Sequence, residues 1–206
     1  MHFPLMVELE GALAVVIGGG RVALRKCRQL GSFGARVRVT APRVCPELEE
    51  LEGAEVRLAP YDSSALEGAV LAVAATEDHQ VNLQVYQDCR QRGIPVNVCD
   101  VPQLCTFFFP ALVRRGELVL AVSTGGKSPA LAAEIRQELE ARYGPEEGER
   151  VELLGRLRQA CRSLPPDQRR ALALKAARLP LEQLRAVWAR AEVGTPVFQI
   201  LEGEKS

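Results

Sequence analysis

An apolar run, Ala12-Leu13-Ala14-Val15-Val16-Ile17, stops at the three glycines Gly18-Gly19-Gly20, and a helical pattern begins at Arg21. A buried strand turning tightly into a helix reads this way. Gly18 and Gly20 fall on the first two glycines of G-x-G-x-x-G/A, and Ala23 takes the third place. Gly18 permits the tight turn, Gly20 lets a pyrophosphate approach the backbone, and Ala23 lets the helix pack closely on the strand. Free N–H groups and the positive dipole end at the helix start favour phosphates, so the expected ligand is a dinucleotide. The alternative is a turn that serves the fold alone.

Strand and helix alternate from there on. A helix is expected from Arg21 to Phe33, closing at Gly34, then a strand over 35–40 and a short helix over 47–51. Two more strands are expected over 55–58 and 70–75, the second a continuous apolar run of the kind buried on both faces. His79 to Arg92 reads as a helix ended by Gly93, and Val96 to Val98 as a fifth strand. This order predicts an α/β fold, a parallel sheet with helices on both faces.

The pattern changes near Leu104. Phe107 to Val113 and Leu118 to Val122 read as two strands joined by a turn at Arg114-Arg115-Gly116. Ser128 as N-cap and Pro129 as first residue open a helix running to about Tyr143. Beyond Gly144-Pro145 the chain reads as helical, with Leu153, Leu157, Cys161 and Leu164 on one face and Leu184, Val187 and Trp188 on another. The residues from about Gly194 are expected as a loose tail. Three parts result: 1–103 a nucleotide-binding domain, 104–143 a small α+β segment, and 144–206 a helical C-terminal domain.

With 26 basic and 26 acidic residues, the formal charge is zero, which gives no argument for nucleic acid or a membrane surface as partner. The longest apolar runs are far too short to span a bilayer. The six cysteines contain no C-x-x-C pair, and no secretory signal is read, so reduced thiols in a cytoplasm are expected. They read as small buried hydrophobes, with Cys99 or Cys105 as a reactive thiol the lesser alternative. Two histidines leave no basis for a His-rich metal site.

Four places carry candidate chemistry. The acid that usually ends the second strand and holds the ribose is missing: Val39-Thr40-Ala41-Pro42-Arg43 stands there. Backbone groups at Pro42 and Arg43 are left to hold the ribose, and Arg43 would also suit a 2′-phosphate, so NAD and NADP both stay open. Thr76, at the exit of the fourth strand, either reaches the cofactor or caps the next helix. Asp100, at the end of the fifth strand, sits at the carboxyl edge where open α/β sheets bind ligands, and its carboxylate can take a proton or hold a cation; a plain turn before Val101-Pro102 is the other reading. Gly125-Gly126-Lys127-Ser128 resembles a P-loop but has Ala121 where the first glycine belongs, which leaves an anion site at a helix start or a simple cap. Phe107-Phe108-Phe109 reads as core or subunit interface, and Arg114-Arg115 as a solvated turn, with a contact to an anionic substrate the other reading.

Taken in order, Val16 to Lys26, Ala74-Ala75-Thr76, Asn97 to Pro102, Phe107 to Ala111 and Ser123 to Pro129 resemble the precorrin-2 dehydrogenase / sirohydrochlorin ferrochelatase family, the dehydrogenase part of sirohaem synthases. The resemblance covers residues 1 to about 143 with specific motifs and the helical remainder only in kind; the methyltransferase module fused to some members is not expected here. It implies a Rossmann-like domain with NAD on the glycine turn, at Gly18, Gly20, Arg21 and Val22, with the Pro42 and Arg43 loop at the adenosine ribose and Thr76 nearby. It implies oxidation of precorrin-2, which loses a hydride to NAD⁺ and protons to base, giving sirohydrochlorin. Some members then insert Fe²⁺. Asp100 matches the acid tied to catalysis, with a role toward the metal, and the residue matching Ser128 lies by the family's tetrapyrrole pocket; for a polycarboxylate substrate, Lys127 and the helix start at Ser128 would supply the cation and N–H donors. Residues 104–143 would mediate a homodimer. Two readings compete: an NAD(H)-sensing module without chemistry, and a metal chelatase alone.

Overall fold

The computed structural model describes residues 2–192 and 194–203. It divides into two compact units, one ending at Phe109 and the next beginning at Pro110.

The first unit is a five-stranded parallel sheet. Its strands are β1 (Leu13–Ile17), β2 (Arg36–Ala41), β3 (Ala54–Leu58), β4 (Ala69–Ala74) and β5 (Val96–Val98), in the order β3-β2-β1-β4-β5. Helices α1 (Arg21–Gly31), α2 (Pro46–Glu49) and α3 (His79–Arg92) connect them. The expected α/β alternation is therefore present, with boundaries shifted by one or two residues. Helix α1 ends at Gly31, short of Phe33, with Ser32 as its cap.

The apolar run of β1 has a direct explanation. Successive side chains of a strand point to opposite faces. Ala14 and Val16 of β1 pack with Ala23, Leu24, Cys27 and Leu30 of α1 and with Leu48 of α2. Leu13, Val15 and Ile17 pack on the other face with Val85 and Cys89 of α3. Because both faces are covered, all five β1 residues are buried and alternation disappears from the sequence. Each such Val, Leu or Ile contributes roughly 1.5–3 kcal/mol of burial.

Residues 105–107 run beside β5 and close that edge of the sheet. The Thr106 N–H donates to the Val96 carbonyl at 2.8 Å, and the Val96 N–H donates to the Thr106 hydroxyl at 2.7 Å. Phe107 and Phe109 pack against the α1-side core. This corrects the expectation of a strand beginning at Phe107. That backbone is already bonded to β5, so the hairpin strand starts only at Ala111.

The second unit begins with the antiparallel hairpin β6 (Ala111–Arg115) and β7 (Leu118–Val122), followed by α4 (Pro129–Arg142). Four helices come after it: α5 (Glu146–Ala160), α6 (Pro166–Ala177), α7 (Leu181–Glu192) and α8 (Val197–Gly203). Two expectations are corrected here. Arg115 is not a solvated turn residue: it is half-buried, and its guanidinium donates to the Tyr143 carbonyl at 3.0 Å and the Glu140 carbonyl at 3.4 Å, satisfying the end of α4. The segment from Gly194 is not a loose tail through its length. Val197, Ile200 and Leu201 of α8 are buried with Leu153, Leu157, Leu172 and Leu184, because α5, α6 and α7 leave an apolar surface that α8 closes. Glu204, Lys205 and Ser206, which the same expectation included, lie outside the described residues.

Candidate functional site

Strand order reverses between β1 and β4, and open α/β sheets bind ligands outside the carboxyl ends of the strands at such a point. The glycine turn comes after β1 and Thr76 after β4, so the two flank it.

The three glycines have three different duties. Gly18 has φ +130°, and a Cβ on it would stand 2.6 Å from the Ala75 carbonyl carbon at the end of β4. Its N–H donates to the Thr40 carbonyl at 3.0 Å, which ties the turn to β2. Gly19 has no duty that its local sequence reveals. A Cβ there would overlap the Arg43 carbonyl and stand 2.8 Å from the Val44 Cα, while its own carbonyl accepts from the Cys45 N–H at 2.8 Å. The Pro42–Cys45 loop therefore rests on the glycine turn. Gly20 meets nothing within 4 Å. It caps α1 without any side-chain hydrogen bond, and the first turn of α1 carries no acidic residue. Ala23 is fully buried against the sheet.

These residues fit a dinucleotide. The space over Gly20 is open, the N–H groups of the first α1 turn are uncapped by side chains, and exposed Arg21 and Val22 border it. On the ribose side, Thr40 and Ala41 are buried and Pro42 and Arg43 are exposed. The Thr40 hydroxyl is buried and unpartnered among the described residues. No acid ends β2, so the backbone of the loop lying on Gly19 is what the fold offers the ribose.

Thr76 is turned inward. Its hydroxyl lies 2.8 Å from the Asn82 Oδ1 and 3.0 Å from the Asp78 carbonyl, and the Asn82 Nδ2 donates to the Thr76 carbonyl at 2.9 Å. It does not cap α3. The Asp78 carboxylate does so, accepting from the Gln80 N–H at 2.8 Å and the Val81 N–H at 3.3 Å. Sequence reading misses buried Asn82, which holds the β4–α3 loop in shape. Its only signal is a polar residue on the buried side of an amphipathic helix.

Asp100 has φ +62° and is the only non-glycine among the described residues with positive φ. Asp tolerates that region better than most residues. The loop that carries it is pinned at both ends: the Cys105 Sγ accepts from the Val98 N–H at 3.3 Å and lies 3.2 Å from the Val98 carbonyl, while the Asn97 Nδ2 donates to the Phe107 carbonyl at 3.0 Å. Asp100 itself is exposed and borders a cleft of about 200 Å³ between this loop and α1. Burial pushes the thiols of Cys99 and Cys105 up, which argues against either as a nucleophile. Among the described residues no group of three or more His, Cys, Asp or Glu is arranged to hold a metal ion.

Lys127 and Ser128 belong to the second unit. The Ser128 hydroxyl accepts from the Leu131 N–H at 3.3 Å, the cap expected of it. Thr124 closes the preceding turn: its hydroxyl donates to the Ser128 carbonyl at 3.0 Å and accepts from the Ser128 N–H at 3.1 Å, while Gly125 and Gly126 supply positive φ. Lys127 is exposed at the tip.

The family described as "Putative NAD(P)-binding" matches residues 5–111, and that described as "Sirohaem biosynthesis protein central" matches residues 115–142. A siroheme synthase of Ectopseudomonas mendocina (strain ymp) is 46% identical over 165 residues, 80% of this chain and 36% of its own length. A siroheme synthase of Pseudomonas aeruginosa (strain LESB58) is 41% identical over 203 residues, 97% of this chain and 41% of its own. The chain thus spans about two fifths of such relatives. Among solved structures, SirC, precorrin-2 dehydrogenase, superposes with a TM-score of 0.78 at 26% identity, covering 98% of this chain and 100% of that one.

Proposed function

The chain belongs to the NAD(P)-binding family that forms the dehydrogenase part of sirohaem synthases, and we propose that it oxidises precorrin-2 to sirohydrochlorin with NAD⁺. The observation that carries this reading is the placement, along one sheet edge, of an open glycine turn after β1 and an exposed carboxylate after β5.

Gly20 and the first α1 turn receive the pyrophosphate, with Arg21 and Val22 beside it. The Pro42–Arg43 backbone receives the adenosine ribose. Thr76, locked by Asn82, shapes the wall next to it. NAD bound there supplies the hydride acceptor. Removing two hydrogens from precorrin-2 releases one as hydride and one as a proton, and Asp100 takes the proton. Lys127 and Ser128 contribute to holding the substrate's carboxylates.

The finer reading adds Fe²⁺ as a co-substrate of a second step, in which Asp100 draws protons from the macrocycle as the metal enters. It is supported by the relatives' name, siroheme synthase, since sirohaem is the iron chelate of sirohydrochlorin. We place residues 104–143 in a homodimer contact and the protein in the cytoplasm. Free cysteines among the described residues agree with the latter, and no helix of those residues is long and apolar enough to cross a membrane.

The test is to mix the protein with precorrin-2 and NAD⁺ and follow sirohydrochlorin and NADH by absorbance. Stoichiometric appearance of both is expected. NAD binding without product would support the sensing module, and metal insertion into sirohydrochlorin without any oxidation would support the chelatase alone.

A further inference from the structure

Helix α1 turns one face toward the Asp100 loop. Val22, Arg25 and Lys26, spaced i, i+3 and i+4, form one wall of the cleft, and Cys99 and Asp100 lie on the other. A helical turn rises about 5.4 Å, so this wall continues directly from the end of α1 that faces the glycine turn.

Lys26 is half-buried, with its ammonium 3.6 Å from the centre of the Phe109 ring. Neither Lys26 nor Arg25 forms an ion pair with a described residue. Burial pushes the Lys26 pKa below the ordinary lysine value; the nearby Cys99 opposes that and the Arg25 guanidinium adds to it. A cation drawn partly out of water with an aromatic face beside it and no carboxylate paired to it among the described residues costs folding energy that the ring repays in part. An entering carboxylate would repay the rest.

We propose that Lys26, with exposed Arg25 beside it, is a carboxylate subsite for the substrate, taking one acetate or propionate arm and thereby setting the macrocycle beside Asp100. The proposal rests on the reading of the substrate as precorrin-2, a tetrapyrrole bearing eight carboxylates. It assigns two residues of the nucleotide-binding unit to the substrate rather than to the cofactor.

The experiment compares the full-length wild type with Lys26→Met, which keeps the unbranched stem over Phe109, and Lys26→Arg, which keeps the charge. Sirohydrochlorin is titrated against each by absorbance, and KM is measured for precorrin-2 and for NAD⁺. Lys26→Met is expected to weaken tetrapyrrole binding and raise the precorrin-2 KM at least tenfold, with the NAD⁺ KM within twofold. Lys26→Arg is expected to recover most of the loss. Unchanged tetrapyrrole affinity in a folded Lys26→Met would overturn the subsite while leaving the dehydrogenase reading intact. A shift in the NAD⁺ KM alone would assign the face to the cofactor instead. Wild type that neither turns over precorrin-2 nor binds sirohydrochlorin would overturn the dehydrogenase reading and the subsite with it. Should Lys26→Met unfold, Arg25→Gln, at an exposed position, carries the same comparison, with a smaller rise in the precorrin-2 KM expected and none overturning the subsite.

Discussion

The Arg43 carbonyl occupies the space where a side chain on Gly19 would begin, so the ribose-side loop and the glycine turn are fitted to each other backbone to backbone. Gly19→Ala forces that loop away and is expected to destabilise the protein by about 1–3 kcal/mol, the usual cost of overpacking, while also weakening NAD⁺ binding. Gly20→Ala separates the two effects. Its φ of −88° suits any residue and its Cβ meets nothing. In thermal unfolding, the stability of Gly20→Ala should fall by no more than about 1 kcal/mol, since alanine is a poorer N-cap than glycine, while NAD⁺ affinity drops at least tenfold, about 1.4 kcal/mol. Equal NAD⁺ affinity in Gly20→Ala would remove the pyrophosphate from this turn.

Asn82 grips Thr76 from both sides, with its Oδ1 toward the Thr76 hydroxyl and its Nδ2 donating to the Thr76 carbonyl. Asn82→Ala takes the partner from the Thr76 N–H and carbonyl beside a small void, while the Thr76 hydroxyl keeps the Asp78 carbonyl. A loss of about 1–3 kcal/mol is expected, measured by urea unfolding. Asn82→Asp sets a buried carboxylate oxygen against the Thr76 carbonyl in place of the amide donor, and should cost at least as much as Asn82→Ala.

Asp100→Asn keeps a side chain that tolerates positive φ, so fold and NAD⁺ binding should persist while kcat falls by about 10²-fold or more, the scale of lost general base catalysis. Asp100→Ala adds the strain of a left-handed alanine, roughly 1 kcal/mol, and should be the less stable of the two. Turnover by Asp100→Asn at the wild-type rate would remove Asp100 from the chemistry.

Burial pushes the thiols of Cys27 and Cys89 up to about 12. The fold therefore favours the protonated form, and its stability is complete below the unfolded thiol pKa near 9. As pH rises above that value the unfolded chain loses protons first, so stability falls progressively until the folded thiols titrate. By pH 10.5 each thiol should cost about 2 kcal/mol. Urea midpoints for the wild type should drop between pH 8 and 10.5, and Cys27→Ala should flatten that drop even though it is less stable at pH 8. A midpoint independent of pH would contradict this.

Much of the first unit is legible in the sequence because its signals are local. The β1 run, the glycine turn, α3 with Gly93 at its end, and Ser128-Pro129 in the second unit each arise from neighbours in the chain. What escapes depends on distant partners. Asn82 reads as an ordinary helix polar residue until Thr76 is placed against it. Arg115 reads as a turn residue until the end of α4 arrives at its guanidinium. The residues from Val197 onward are too few and too mixed to predict a helix, and they form one only because a three-helix surface needs covering. Phe107 looks like the start of a strand because nothing local shows that Thr106 is already bonded to Val96.

The sequence by itself determined the α/β alternation, the dinucleotide turn and the places where chemistry-bearing residues interrupt regular structure, since short-range sterics and burial on both strand faces fix those. The strand order β3-β2-β1-β4-β5 was decided only by the tertiary structure, and with it the siting of Thr76 beside the glycine turn. So was the left-handed Asp100 across a cleft from Lys26. Strand order and cleft walls depend on which buried faces pair, and that pairing joins residues far apart in the chain, where no local pattern specifies the partner.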